Sequence, residues 1–327
     1  MFCKQLNKIL KVIQMIKFVH IMVFILLISA CKNKGEQNNN DMPETSADTS
    51  RMNISLAQWS FHRALKEKKM DNLDFAAKAA SMGFEGIEYV NQFFKERATD
   101  TAYLQKMTEK ANTAGVKQLL IMIDGEGYLA DLNDAKRDTA VKNHYKWVDA
   151  AAFLGCHSIR VNAHGEGTKD EVAEAAIKGL SSLADYAATK NINVIVENHG
   201  GYSSDGKWLS TVMSKIGKPN VGTLPDFGNF CVKPGKDKCD EEYDRYKGVE
   251  ELMPFAKAVS AKSHDFGELG FETRTDYLRM LEIVKNAGYS GFVGVEYEGD
   301  SMGEDEGVIA TKKLIEKCFE QLYPPKK

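Results

Sequence analysis

Ser158-Ile159-Arg160-Val161-Asn162, a helix-like run over 169–189, and Asn193-Val194-Ile195-Val196-Glu197 follow one another in mid-chain. The two outer runs are short and rich in β-branched residues, as buried parallel strands are. Between them Ala173, Ile177, Leu180, Leu183, Ala184 and Ala187 recur at spacings of three and four. That spacing places them on one face of a helix. Strand, helix and strand in this order make a crossover unit whose two strands lie parallel.

The alternation continues in both directions. Strand-like runs fall at 53–59, 86–90, 117–123, 158–162, 193–197, 221–226, 259–264 and 291–296. Helix-like runs fall at 73–81, 102–114, 139–154, 169–189, 208–216, 248–256, 276–286 and 308–322. Met82-Gly83-Phe84-Glu85-Gly86 and Ala287-Gly288-Tyr289-Ser290-Gly291 share a punctuation, one glycine ending a helix and a second opening the next strand. Eight such units predict an α/β fold of one domain, the (β/α)8 or TIM barrel, over 51–327. A doubly wound open sheet is the alternative, but no Gly-rich phosphate loop follows the first strand.

The first fifty residues read differently. Lys4, Lys8, Lys11 and Lys17 precede an apolar run over 18–28, and Ser29-Ala30-Cys31 follows. A basic head, a short apolar middle and small residues describe an export signal over 1–30, too short for a membrane span of about 20 apolar residues. Ile28-Ser29-Ala30-Cys31 resembles the bacterial lipobox, which implies that Cys31 is lipidated and anchors an exported, periplasm-facing protein. Acyl chains contribute about 0.8 kcal/mol per buried methylene. Residues 31–50 are polar and read as a flexible tether. A net charge of −3 without a basic block excludes a nucleic-acid partner. Cys231 and Cys239 lie close together in one loop, as a disulfide or as free thiols.

Four strand-like runs end in metal-ligand side chains: Glu197, Asp226, His264 and Glu296. In a barrel the C-terminal strand ends share one mouth. Three carboxylates gathered there repel by roughly 4 kcal/mol per pair at an effective dielectric near 20. One bound divalent cation relieves that repulsion. Without it, buried Glu197 and Glu296 require Arg or Lys partners. Asp226 would otherwise serve as a helix cap, and Lys262 and Asp265 flank His264 as alternatives to it. His62, Glu88, His164, His199 and Asn229 stand at the remaining strand ends as candidate substrate contacts.

Val194-Ile195-Val196-Glu197-Asn198-His199, Pro225-Asp226-Phe227-Gly228-Asn229, Lys262-Ser263-His264-Asp265 and Gly294-Val295-Glu296 resemble the xylose isomerase-like barrel superfamily, in its sugar phosphate isomerase/epimerase branch. The resemblance implies that Glu197, Asp226, His264 and Glu296 bind one ion, commonly manganese, magnesium, cobalt or zinc. Oxygen-rich ligation with one imidazole favours manganese. Asn229 departs from the pattern, since many ketose epimerases carry histidine there.

The expected chemistry is proton abstraction beside a sugar carbonyl, with Glu197 and Glu296 as acid and base. Reprotonation gives an epimer or an isomer, and loss of a β-substituent gives a lyase acting on keto-glycosides. Export points to non-phosphorylated sugars or keto-sugars. A sugar-binding lipoprotein without catalysis is the other class. A DNA-repair endonuclease on the same fold would need more converging histidines and a basic surface.

Overall fold

Each of the eight β-branched runs becomes a strand in the computed structural model, which describes residues 51–236 and 238–324. The expected export signal, Cys31 and the tether lie outside those residues. The barrel strands are β1 Asn53–Ala57, β2 Gly86–Val90, β3 Lys117–Met122, β4 Ser158–Val161, β5 Asn193–Glu197, β6 Val221–Leu224, β9 Val259–Ser263 and β10 Phe292–Tyr297. They pair in the order β6-β5-β4-β3-β2-β1-β10-β9, every pair parallel. Past Leu224 the Phe227 N–H donates to the Ser260 carbonyl at 3.0 Å, and the Ser260 N–H to the Pro225 carbonyl at 2.9 Å. Those bonds join the first and last strands of the order, and the (β/α)8 barrel expected from the alternation is formed.

The helices are α1 His62–Lys66, α2 Phe75–Ser81, α3 Thr101–Ala114, α4 Asp134–Phe153, α5 Lys169–Ala188, α6 Gly206–Ile216, α7 Arg245–Leu252, α8 Tyr277–Asn286 and α9 Glu304–Leu322. The apolar face of α5 (Val172, Leu180, Leu183) is fully buried, each side chain contributing roughly 1.5–3 kcal/mol. Its start is fixed by a capping box between Thr168 and Glu171. Helix α4 begins five residues before the apolar pattern does, because the Asn133 side chain accepts the Lys136 N–H. Helix α7 stops at Leu252, and the 256 boundary is replaced by a short 3-10 turn, Met253–Phe255, with proline in its first turn.

Helix α1 and a two-stranded hairpin have no counterpart among the expected elements. β7 Cys231–Pro234 and β8 Cys239–Glu242 form an antiparallel hairpin, closed by a disulfide between Cys231 and Cys239. The outward faces of the barrel strands pack on the helices in one large core. The inward faces hold a smaller cluster of Ala57, Val90, Leu120, Met122, Ile195 and Leu224. Above and beside that cluster, the barrel interior turns polar.

Candidate active site

Side chains alternate along a strand, so Glu197 follows Ile195 into the interior of β5, and Asp226 follows Leu224. On β9 and β10 the inward residues are Ser260 and Lys262, Gly294 and Glu296, with Lys262 and Glu296 side by side in the register. Carboxylate oxygens of Glu197, Asp226 and Glu296 all lie within 4.8 Å of one another, and all three residues are buried. Ser260 Oγ lies between two of them, 2.8 Å from Asp226 Oδ2 and 3.1 Å from Glu296 Oε2. Asp226 also accepts the Gly228 and Asn229 N–H groups through Oδ1, so the capping alternative and the cluster are both realised.

Two buried cations neutralise this cluster. Arg160 on β4 places Nε 2.7 Å from Glu197 Oε2 and Nη1 2.8 Å from Asp124 Oδ1. Lys262 places Nζ 3.1 Å from Glu296 Oε1, 3.3 Å from Glu298 Oε2 and 3.9 Å from Asp226 Oδ2. Glu298 is held in turn by the Trp59 indole N–H. These are the Arg and Lys partners that buried glutamates need when no ion is bound.

Burial pushes the carboxyls of Glu88 and Asp226 up to about 8, and burial also raises Glu296. Burial acts the same way on Asp124, but the Arg160 charge and hydrogen bond bring it down to about 2. For Lys262, burial disfavours the charge, yet Glu296, Asp226 and Glu298 outweigh it and hold the ammonium well above the ordinary lysine range. The environments of the site push its carboxyls in opposite directions, Glu88, Asp226 and Glu296 up and Asp124 down, the pattern that separates acid and base roles in one pocket.

Three of the four expected ion ligands converge, and the fourth does not. Among the described residues, His264 contributes no nitrogen to the group. Its Nδ1 is buried without a hydrogen-bond partner, and its backbone N–H donates to Glu272 Oε1 at 3.3 Å. The imidazole lines a cavity of about 210 Å³ that runs from Lys262 and Gly228 to the hairpin disulfide and Arg274. Strand β9 ends at Ser263, and the chain then turns into a loop bridged between Phe266 and Glu272. An ion among the three carboxylates would have to displace the Lys262 ammonium. The residues as they stand do not fit the expected four-ligand site.

The expected substrate contacts divide into four groups. Glu88 lies inside the barrel, where Ser55 Oγ donates to Oε1 at 2.6 Å and Oε2 has no hydrogen-bond partner. Gly294 makes that position possible, since a Cβ there would meet Glu88 Oε1 at 2.5 Å. Asn229 donates to Glu197 Oε1 at 3.0 Å and so orients a site carboxylate. His164 and His199 are exposed and line one cavity of about 220 Å³ with Asp124 and Asn162. His62 packs on Trp59 beside the cluster: Nδ1 meets the Trp59 carbonyl at 2.8 Å and lies 3.9 Å from Glu304 Oε1, and its ring stacks on the indole at 4.9 Å. Arg160, and Lys262 as partner rather than ligand, are the site residues not anticipated. Their signal is a cation at an inward position of a buried strand.

The profile of the xylose isomerase-like TIM barrel family matches residues 76–318. A curated relative, a putative hydroxypyruvate isomerase of Mus musculus, is 23% identical over 169 residues, 46% of this chain and 58% of that protein. The match thus spans a little over half the relative's length. The 3-keto-D-glucoside 4-epimerase YcjR of E. coli superposes with a TM-score of 0.65 at 14% identity, covering 82% of this chain and all of that one. The zinc-binding IolI protein does so with a TM-score of 0.65 at 14% identity, over 84% of this chain and 100% of that one. The fold they share is the xylose isomerase-like TIM barrel.

Proposed function

We propose that the chain, which belongs to the xylose isomerase-like TIM barrel family, is a sugar isomerase or epimerase that moves a proton on a carbon beside a carbonyl. The observation that carries this is the convergence of Glu197 and Glu296, from the separated strands β5 and β10, on one buried centre holding two cations. A carbon acid of this kind ionises only if the charge arriving on its oxygen is stabilised in place. Arg160 and Lys262 provide that fixed positive charge. Either glutamate then removes the proton, and a carboxyl on another side returns it.

Return to the same carbon gives an epimer, and return to its neighbour an aldose–ketose pair. Burial raises the carboxyls of Glu88 and Asp226, which favours their protonated forms and suits them to giving a proton. Asn229 holds Glu197 in orientation. His164, His199 and Asp124 form the polar wall that would receive the distal hydroxyls of a sugar.

The substrate class we propose is a non-phosphorylated keto-sugar or keto-glycoside. It is supported by the E. coli structural neighbour acting on a 3-keto-glucoside, and by the expected export signal. We propose further that Cys31 is lipidated and anchors the chain facing the periplasm. The Cys231–Cys239 disulfide favours this, since disulfides persist in oxidising compartments. Loss of membrane retention in Cys31→Ala tests the anchor.

The function is tested by incubating the protein in heavy water with ketoses, aldoses and 3-keto-glycosides and following the carbon-bound protons by NMR. Deuterium at the carbon beside the carbonyl is expected, and the product identifies epimer, isomer or an unsaturated elimination product. Sugar binding without any exchange would leave a binding lipoprotein in its place.

A further inference from the structure

We propose that Lys262 is the resident cation of this site: its ammonium occupies the place that the Glu–Asp–His–Glu pattern reserves for a divalent ion, and the chain holds no tight ion there.

The register carries the assignment. Lys262 pairs with Glu296 on the adjacent strand, so both side chains leave the sheet on the same inward face. His264 lies in the loop beyond the end of β9, and neither of its ring nitrogens joins the carboxylate group. Position 262 is therefore the one from which β9 addresses the three carboxylates.

The ammonium is also fixed. Glu296 and Glu298 take it at 3.1 and 3.3 Å, and Trp59 holds Glu298 from behind. The aliphatic stem lies over the bare Cα of Gly228, where a Cβ would come within 3.1 Å of Lys262 Cγ and Cδ. A lysine held from above and below at 3% exposure is not free to swing aside for an ion.

Two of the three ammonium hydrogens have carboxylates in reach, while Asp226 at 3.9 Å is beyond hydrogen-bond distance. The third hydrogen is free for a substrate oxygen. Lysine is suited to that task as a compact charge with three donors. This catalytic half of the proposal rests on the isomerase reading above; the absence of a tight ion does not.

The geometry also argues against a covalent role. An imine-forming lysine needs a neutral amine, which a desolvated pocket or a neighbouring cation provides. Lys262 instead faces three carboxylates.

The test begins with metal content and needs no turnover. Wild-type protein is mixed with manganese, magnesium or zinc, desalted, and analysed by mass spectrometry of the elements; background metal is expected, together with a melting temperature that these ions leave unchanged. Lys262→His is expected to retain zinc or manganese stoichiometrically and to melt higher in its presence. A stoichiometric ion in the wild type that chelators strip would overturn the proposal. So would a folded Lys262→His protein that gains no ion. If Lys262→His does not fold, the wild-type measurement alone decides. Borohydride added with carbonyl sugars is expected to leave Lys262 unmodified, and a reduced adduct on it would overturn the ammonium role in favour of an imine.

Discussion

Replacing Lys262 by methionine keeps an unbranched side chain, one atom shorter, and removes its charge. At an effective dielectric near 20, an ammonium 3.1 Å from Glu296 and 3.3 Å from Glu298 is attracted by about 5 kcal/mol to each, and by about 4 kcal/mol to Asp226 at 3.9 Å. Most of that gross attraction offsets the cost of taking the charges out of water. Measured losses on breaking a buried pair are about 3–5 kcal/mol. The carboxyls respond by taking up protons, so the loss in Lys262→Met depends on pH.

Glu296 and Asp226 already titrate above their ordinary values of 4.5 and 3.8, chiefly through burial, with Lys262 opposing the rise. Without Lys262 they rise further. A group raised on folding stabilises fully below its unfolded value and loses that contribution as pH climbs through the folded one. Glu298 is lowered in the wild type by the Lys262 charge, against the opposing effect of burial. Its stabilisation is present above 4.5, and the variant forfeits it. All three carboxyls act in the same direction. Urea unfolding at pH 4 to 8 should show a deficit that is small at pH 4 and reaches about 3 kcal/mol at pH 8. A deficit independent of pH, or none at pH 8, would refute the electrostatic account of the cluster.

Glu88→Gln should flatten the pH dependence of stability. Wild-type Glu88 moves from 4.5 to about 8 on folding because it is buried. Its contribution is fully present below 4.5 and is lost by up to about 1.4 kcal/mol per pH unit as pH rises toward 8. The variant should gain on the wild type over that window, read by urea midpoints. Gly294→Ala should cost about 1–3 kcal/mol and slow proton exchange, because its Cβ collides with the Glu88 carboxylate; wild-type behaviour in both assays would show that Glu88 can move aside.

Much of the barrel is legible in the amino-acid sequence, since β-branched runs of five or six residues and a repeat of three and four along the helices are local properties. The same periodicity brings Glu197, Asp226 and Glu296 to one mouth. His264 is misleading for a local reason. It stands at the end of an apolar run, but Tyr277 Oη donates to the Ala261 and Lys262 carbonyls. The strand closes at Ser263, and His264 leaves with the loop. Arg160 and Lys262 are hidden in a different way. Each interrupts an apolar strand as a single cation, and only closure of the sheet shows that both point at the acids. The hairpin is equally non-local, because short polar strands such as Cys239–Glu242 carry little β signal of their own.

Glu197 and Glu296 are the groups proposed to move a proton on carbon at the barrel mouth. Deuterium exchange from heavy water into the carbon beside the carbonyl, compared among wild type, Glu197→Gln and Glu296→Gln, tests this role most directly. Both variants should stay folded by circular dichroism and lose exchange by about a hundredfold or more, the usual contribution of a positioned acid or base. Folded variants that exchange at the wild-type rate would contradict it.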